Sequence, residues 1–242
     1  MIVGILSMQR VINYGSFLQA YALKKELENM GNEVRFVDIE NNIELCVNKE
    51  NQFMNILNKF KLIDRYLIRR IVDSRKNREL TRIIISAQEK YLGLDKSIMK
   101  NTGCKAIVIG SDEIFNCDSN SVWGINGQRF GDIKNVTFCV SYAASCGYTG
   151  VENILAEDRI VIENGLKKLL HISVRDRNTF NFVEQISGRV ANYNLDPVLI
   201  YDFCKEVKQG EKEGIPTEPY MVVYAYHNRI DDKEEIKSIQ DY

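Results

Sequence analysis

Short, mainly apolar blocks fall at Met1–Leu6 (MIVGIL), Ala106–Ile109 (AIVI), Val136–Tyr142 (VTFCVSY) and His171–Val174 (HISV). Blocks this short predict buried strands. Glu33–Ile39 (EVRFVDI) predicts a further strand and Arg189–Asn194 a weaker one. After the first block the period changes. Phe17, Ala20, Tyr21, Leu23 or Lys24, and Leu27 recur near 3.6-residue spacing, so Ser16–Met30 predicts a helix packed on the first strand. Gly31 then ends it. Asn153–Leu170 and Asp176–Gln185 predict two more helices. Residues 1–40 read as one right-handed parallel βαβ unit. The continuing alternation predicts an α/β fold: a Rossmann-like open parallel sheet with helices on both faces.

Two stretches break this rhythm. Residues 50–100 read as a helical insertion: Phe53–Ile71 has helical spacing, and Arg65–Arg82 holds seven basic residues. Those charges form either a solvated face or a basic surface toward an acidic substrate or a membrane headgroup. Glu206–Glu218 is polar, with Gly210, Gly214 and Pro216 and then Pro219, and reads as a linker. Beyond it, Tyr220–Tyr226 (YMVVYAY) opens a new buried strand and Asp231–Tyr242 a helix. The expected organisation is an N-terminal domain at 1–205, a linker at 206–219, and the start of a truncated second domain at 220–242.

Composition narrows the chemistry. The apolar fraction of 45% and charged fraction of 27% are those of a globular domain, and a formal net charge of −1 gives no general attraction to nucleic acid. The apolar start lacks a basic flank and is broken by Gln9-Arg10, so it reads as a strand and not a secretion signal. A cytoplasmic location is expected, with the inner face of the membrane an open extension of it. The six cysteines form no CxxC pair and have no neighbouring histidine, which favours buried thiols over a metal or disulfide site.

The residues with chemical potential cluster where strands end. Asn13-Tyr14-Gly15-Ser16 lies between the first strand and its helix, where free backbone N–H groups can hold a phosphate or carboxylate. Gly110-Ser111-Asp112 follows AIVI directly, with Asn116 shortly after; it reads as a ligand loop or as a helix cap. Ser141–Ser145 (SYAAS) offers small residues and the Ser145 hydroxyl, or simply close packing. Arg175 and Arg177 follow HISV; on a continuing strand they would share a face and bind a carboxylate or phosphate, and an Arg–Asp surface network is the alternative. His227 is a weak catalytic candidate and His171 reads as structural. Walker, Gly-x-Gly-x-x-Gly, Gly-x-Ser-x-Gly and zinc patterns are missing.

In order along the chain, INYGSFLQAYALKKEL (12–27), VIGSDEIFN (108–116), VSYAASCG (140–147), ISVRDRNT (172–179) and LDPVLI (195–200) resemble the polysaccharide pyruvyl transferase family. The resemblance implies two Rossmann-like domains arranged as in GT-B glycosyltransferases. It implies transfer of a pyruvate ketal from phosphoenolpyruvate to two hydroxyls of a cell-surface sugar, with no further cofactor. Arg175 would bind the donor, while Asn13, Tyr14, Gly15 and Ser16 line the cleft and Ser111, Asp112 and Asn116 contact the acceptor. A sugar or lipid-linked oligosaccharide and peripheral membrane association are the implied partners. The family's Ser-Phe-His-Gly segment, with its candidate catalytic histidine, does not occur up to Tyr242, so this chain by itself is expected to be inactive. Glu113 and Phe115 stand where Gln and Trp are usual: Phe115 would keep an aromatic wall, and Glu113 would add a charge repelling an anionic donor. Alternatives are a GT-B enzyme using a nucleotide sugar, and a non-catalytic sugar-binding fragment.

Overall fold

The computed structural model describes residues 1–39, 78–95, 99–117, 125–206 and 218–220. The chain divides into two compact units, Met1–Asp202 and Phe203–Tyr242. Of the second, the described part includes one 3₁₀ turn at Phe203–Lys205. The expected strand at 220–226, the helix after it, most of the linker, His227, Phe53–Ile71 and most of the basic stretch lie outside the described residues.

In the first unit, β1 (Ile2–Leu6), β2 (Glu33–Phe36), β3 (Ala106–Ile109) and β4 (Phe138–Ser141) form a parallel sheet in the order β2-β1-β3-β4. A second parallel pair, β5 (Ser173–Val174) and β6 (Asn192–Tyr193), continues it. Bridges Val140–His171 and Ala144–Val174, with Leu170 N donating to Cys139 O at 2.7 Å, tie β5 to β4. The working order is therefore β2-β1-β3-β4-β5-β6, and every pairing is parallel.

Several strands are shorter than their apolar blocks, for a hydrogen-bonding reason. Val37 N still donates to Ile5 O (2.8 Å), but Asp38 N turns away to Met99 O (2.8 Å), so β2 leaves the ladder before Ile39. His171 contributes only a bridge ahead of β5, and its side chain is exposed.

The helices surround this sheet. Helix α1 (Tyr14–Asn29) links β1 to β2 and packs on β2. Residues 78–87 form α2, which runs into a π-helical turn at Gln88–Leu92. The helix expected over Asn153–Leu170 is divided: a 3₁₀ turn at Val151–Asn153 and α3 (Ala156–Lys168) are separated by the extended residues Ile154 and Leu155. Helix α4 (Arg177–Ser187) follows, and α5 (Pro197–Ile200) is a single turn. Ile107 and Ile109 pack in one buried cluster with Ile162 and Leu166 of α3 and Phe182 and Val183 of α4. Ala106 and Val108, which point to the opposite side of the sheet, are buried as well. Both faces are thus covered, as an all-parallel sheet requires. No helix among the described residues is long and apolar enough to cross a membrane.

Candidate functional site

The chain leaves β1 toward β2 on one side, whereas β3 lies on the other, so connections diverge at the carboxyl ends of β1 and β3. Open α/β sheets bind ligands at such a divergence. Residues following β1, β3, β4 and β5 meet there.

Asn13 caps α1: its Oδ1 accepts from Gly15 N (2.7 Å) and Ser16 N (3.2 Å). Two of the backbone N–H groups expected to hold an anion are therefore already occupied, and an anion reaching them must first move the Asn13 side chain. Asn13, Tyr14 and Gly15 are exposed. Ser16 turns inward, one turn before Gln19 on the same helix face. Gln19 Nε2 donates to Ser7 Oγ (2.9 Å) and Ser16 O (2.8 Å), and its Oε1 accepts from Ser111 Oγ (2.7 Å). This buried network fastens α1 to the ends of β1 and β3. Ser111 is fully buried, and its bond to Gln19 holds the loop.

Asp112 is the centre of the cluster. Its backbone is left-handed (φ 66°), a conformation that Asp and Asn tolerate better than most residues. A bridge to Ala144 and the bond from Ser145 N to Asp112 O (2.9 Å) hold it there. Ser16 Oγ donates to Asp112 Oδ2 at 2.5 Å. Arg175 NH2 lies 3.4 Å from Asp112 Oδ1, and Arg175 NH1 donates to Asp196 Oδ2 at 2.5 Å. Asp196 in turn caps α5, its Oδ1 accepting from Val198 N (3.0 Å). Arg175 thus stands between two carboxylates, half-buried.

The backbone of this loop has little room. Gly110 has φ 121°, and a Cβ there would lie 2.3 Å from Tyr142 O. Gly110→Ala is expected to destabilise the protein by about 2–3 kcal/mol, combining an unfavourable φ with a backbone clash. Urea unfolding of the variant measures this, and an unchanged midpoint would contradict the close approach.

Arg177 does not share a strand face with Arg175. The strand stops at Val174 because Asp176 caps α4, its Oδ1 accepting from Thr179 N (2.8 Å), and Arg177 becomes the first helical residue. It is exposed.

Asn116 and Ser145 belong to the loop's support. Asn116 Nδ2 donates to Glu113 Oε2 (2.8 Å), and Ser145 Oγ accepts from Gly147 N (3.0 Å). Glu113 is held against Asn116 and Gly147. Phe115 is no cleft wall: it is fully buried and stacks on Phe130 with centroids 5.2 Å apart. Arg129, also fully buried, donates from Nε to Ile114 O (2.8 Å) and from NH2 to Asn116 O (2.5 Å). Burial lowers its pKa to about 10, which leaves it charged at neutral pH. On the far side, Arg10 grips Asp38 with two bonds, Nε to Oδ1 at 2.7 Å and NH2 to Oδ2 at 2.5 Å, fixing the segment after β1.

Burial raises the Cys117 thiol to about 12 and Cys146 to about 11, so neither is a nucleophile at neutral pH. Among the described residues no group of three or more His, Cys, Asp or Glu side chains is placed to hold a metal.

The structure joins Ser16, Ser111, Asp112 and Arg175 in one hydrogen-bonded cluster, through Gln19, which sequence reasoning missed together with Ser7 and Asp196. Gln19 had a signal, its i, i+3 spacing from Ser16. Asp196 also had one, as an Asp directly before Pro197 at a helix start. Arg129 had none, because its partners lie a dozen or more residues away.

The sequence model of the family described as polysaccharide pyruvyl transferase matches residues 13–242, most of the chain. No curated protein and no solved structure matches the chain significantly.

Proposed function

The chain belongs to the polysaccharide pyruvyl transferase family, and from that premise we infer that it takes part in transferring a pyruvate ketal from phosphoenolpyruvate to a sugar of a cell-surface polysaccharide. The observation that supports this beyond the family is the half-buried Arg175 at the carboxyl end of β5, with hydroxyl and carboxylate groups gathered around it. Phosphoenolpyruvate carries a phosphate and a carboxylate, both matched by a planar guanidinium. Arg175 meets the donor in this reading by exchanging its long contact with Asp112. The exposed Arg177 at the start of α4 is a second cation on the same chain segment. Asp112 and Ser16 face the acceptor, whose neutral hydroxyls suit an oxygen-rich surface.

The reaction balances without redox chemistry. Two sugar hydroxyls form two C–O bonds to the central carbon of the enolpyruvate. One hydroxyl proton ends on the methylene carbon, which becomes methyl, and the other leaves with phosphate. The GT-B-like two-domain architecture, with a second domain opening near residue 220, belongs to the same reading, as does a location at the inner face of the membrane.

The test is direct. The full-length protein is incubated with phosphoenolpyruvate and a panel of p-nitrophenyl hexopyranosides with free 4- and 6-hydroxyls. Phosphate release and the ketal product, seen by mass spectrometry, are the expected results. Thermal stabilisation by a nucleotide sugar and not by phosphoenolpyruvate would replace this reading with glycosyl transfer.

A further inference from the structure

We propose that Asp112 is the catalytic base of the acceptor half-reaction, its Oδ1 taking the proton of the sugar hydroxyl that attacks the donor. The proposal rests on the transferase reading above and assigns a role within it.

The carboxylates at this end of the sheet differ in what their oxygens touch. Asp196 has both oxygens committed, Oδ1 to Val198 N at 3.0 Å and Oδ2 to Arg175 NH1 at 2.5 Å. Asp176 is engaged as the cap of α4, its Oδ1 accepting from both Thr179 N and Thr179 Oγ1 at 2.8 Å. Glu113 accepts from Asn116 Nδ2 and lies against Gly147. Asp112 differs. Its Oδ2 is fixed by Ser16 Oγ at 2.5 Å, while Oδ1 has only a distant approach from Arg175 NH2 at 3.4 Å. A strong guanidinium–carboxylate bond is about 2.7–2.9 Å, so Oδ1 is the weakly engaged oxygen. The side chain is 22% exposed, enough for a hydroxyl to reach it. The carboxylate is nevertheless rigidly placed, through the left-handed backbone, the Ala144 bridge and the Ser16 hydroxyl. A positioned base with one oriented and one available oxygen is what proton removal from an alcohol requires.

Arg175 completes the arrangement. Asp196 anchors its guanidinium, so turning NH2 from Asp112 to an incoming anion breaks a long contact and keeps the short one. As the acceptor O–H bond breaks, its proton passes to Asp112 Oδ1. The oxygen's electron pair forms the bond to the central enolpyruvate carbon, and the π pair of the alkene takes up a proton from solvent water at the methylene carbon. When the second hydroxyl closes the ketal its proton returns to solvent, and the proton held by Asp112 leaves with phosphate. No oxidant or reductant is needed.

The test uses Asp112→Asn and Asp112→Gly in the full-length protein, since Asn and Gly both accept φ 66°. Expected is a loss in kcat of about 10²–10⁴-fold, the usual worth of a general base, with the KM for phosphoenolpyruvate within about threefold of wild type. Added formate is expected to restore part of the activity of Asp112→Gly, a response that a purely structural role would not give. Ser16→Ala, which removes only the orienting hydroxyl, is expected to lose less than about tenfold. An Asp112→Asn enzyme with more than a tenth of wild-type kcat overturns the proposal. So does a Gly variant that folds, by thermal melting, and shows no formate response. A wild-type protein that releases no phosphate with any acceptor of the panel overturns the transferase reading and the proposal with it, whereas an active wild type with an active Asp112→Asn overturns the proposal alone.

Discussion

Replacing Arg175 by methionine is expected to lower pyruvyl transfer by the full-length protein about 10²–10³-fold, mostly through a higher KM for phosphoenolpyruvate. The variant keeps the length of the side chain and removes the charge. Two charge-assisted hydrogen bonds to an anion, at about 1.5–3 kcal/mol each, account for about 3–6 kcal/mol; giving up the contact with Asp112 offsets part of this, and the remaining ~3–4 kcal/mol corresponds to that range. It also leaves Asp112 and Asp196 without the cation between them. Those carboxylates are partly exposed, so the accompanying loss of stability is small, about 1 kcal/mol or less. Arg175→Lys keeps the charge but not the fork that reaches both carboxylates, and is expected to recover only part of the activity. Steady-state kinetics on both variants decides the matter; normal turnover by Arg175→Met removes Arg175 from the donor site.

The largest effect on stability is expected from Arg129→Met. The side chain is fully buried and donates to two backbone carbonyls, Ile114 O and Asn116 O. Methionine fills much of the volume but leaves those acceptors without their donor, at about 1–3 kcal/mol each. Removing the buried charge recovers part of the desolvation cost that lowers its pKa to about 10. The net loss is expected to be about 3 kcal/mol, or about 6–12 °C in Tm for a protein of this size. Because the two carbonyls belong to the segment after Asp112, activity is expected to fall with stability. A melting temperature equal to wild type would show that the segment does not depend on Arg129.

The two expectations differ in how visible they were. Arg175 stands in a short motif behind an apolar block, and the end of a strand in an α/β alternation is a place to look for ligand contacts. Arg129 sits in a stretch with no period. Its role exists only because the turn at Gly127–Phe130 is folded against the loop after β3, with Phe130 stacked on Phe115. The same distinction explains Phe115, which looked like a cleft wall in sequence and is core in the fold. An aromatic residue carries no mark of which side of a loop it faces.

By itself the sequence determined the six described strands, their order along the chain, the helix after β1 (expected from Ser16, beginning at Tyr14 in the fold), and the segments that gather at one end of the sheet. Those features follow from local periods and from backbone preferences of Gly, Asn and Asp, which act over a few residues. Only the tertiary structure decided which side chains meet. Ser16, Asp112, Arg175 and Asp196 are spread over 180 positions and converge because β1, β3 and β5 run parallel and end together. It also separated Arg175 from Arg177, since the Asp176 cap starts a helix where an extended strand would have kept them on one face. Pairing across a parallel sheet is a long-range choice, and residue spacing along the chain does not encode the distances it produces.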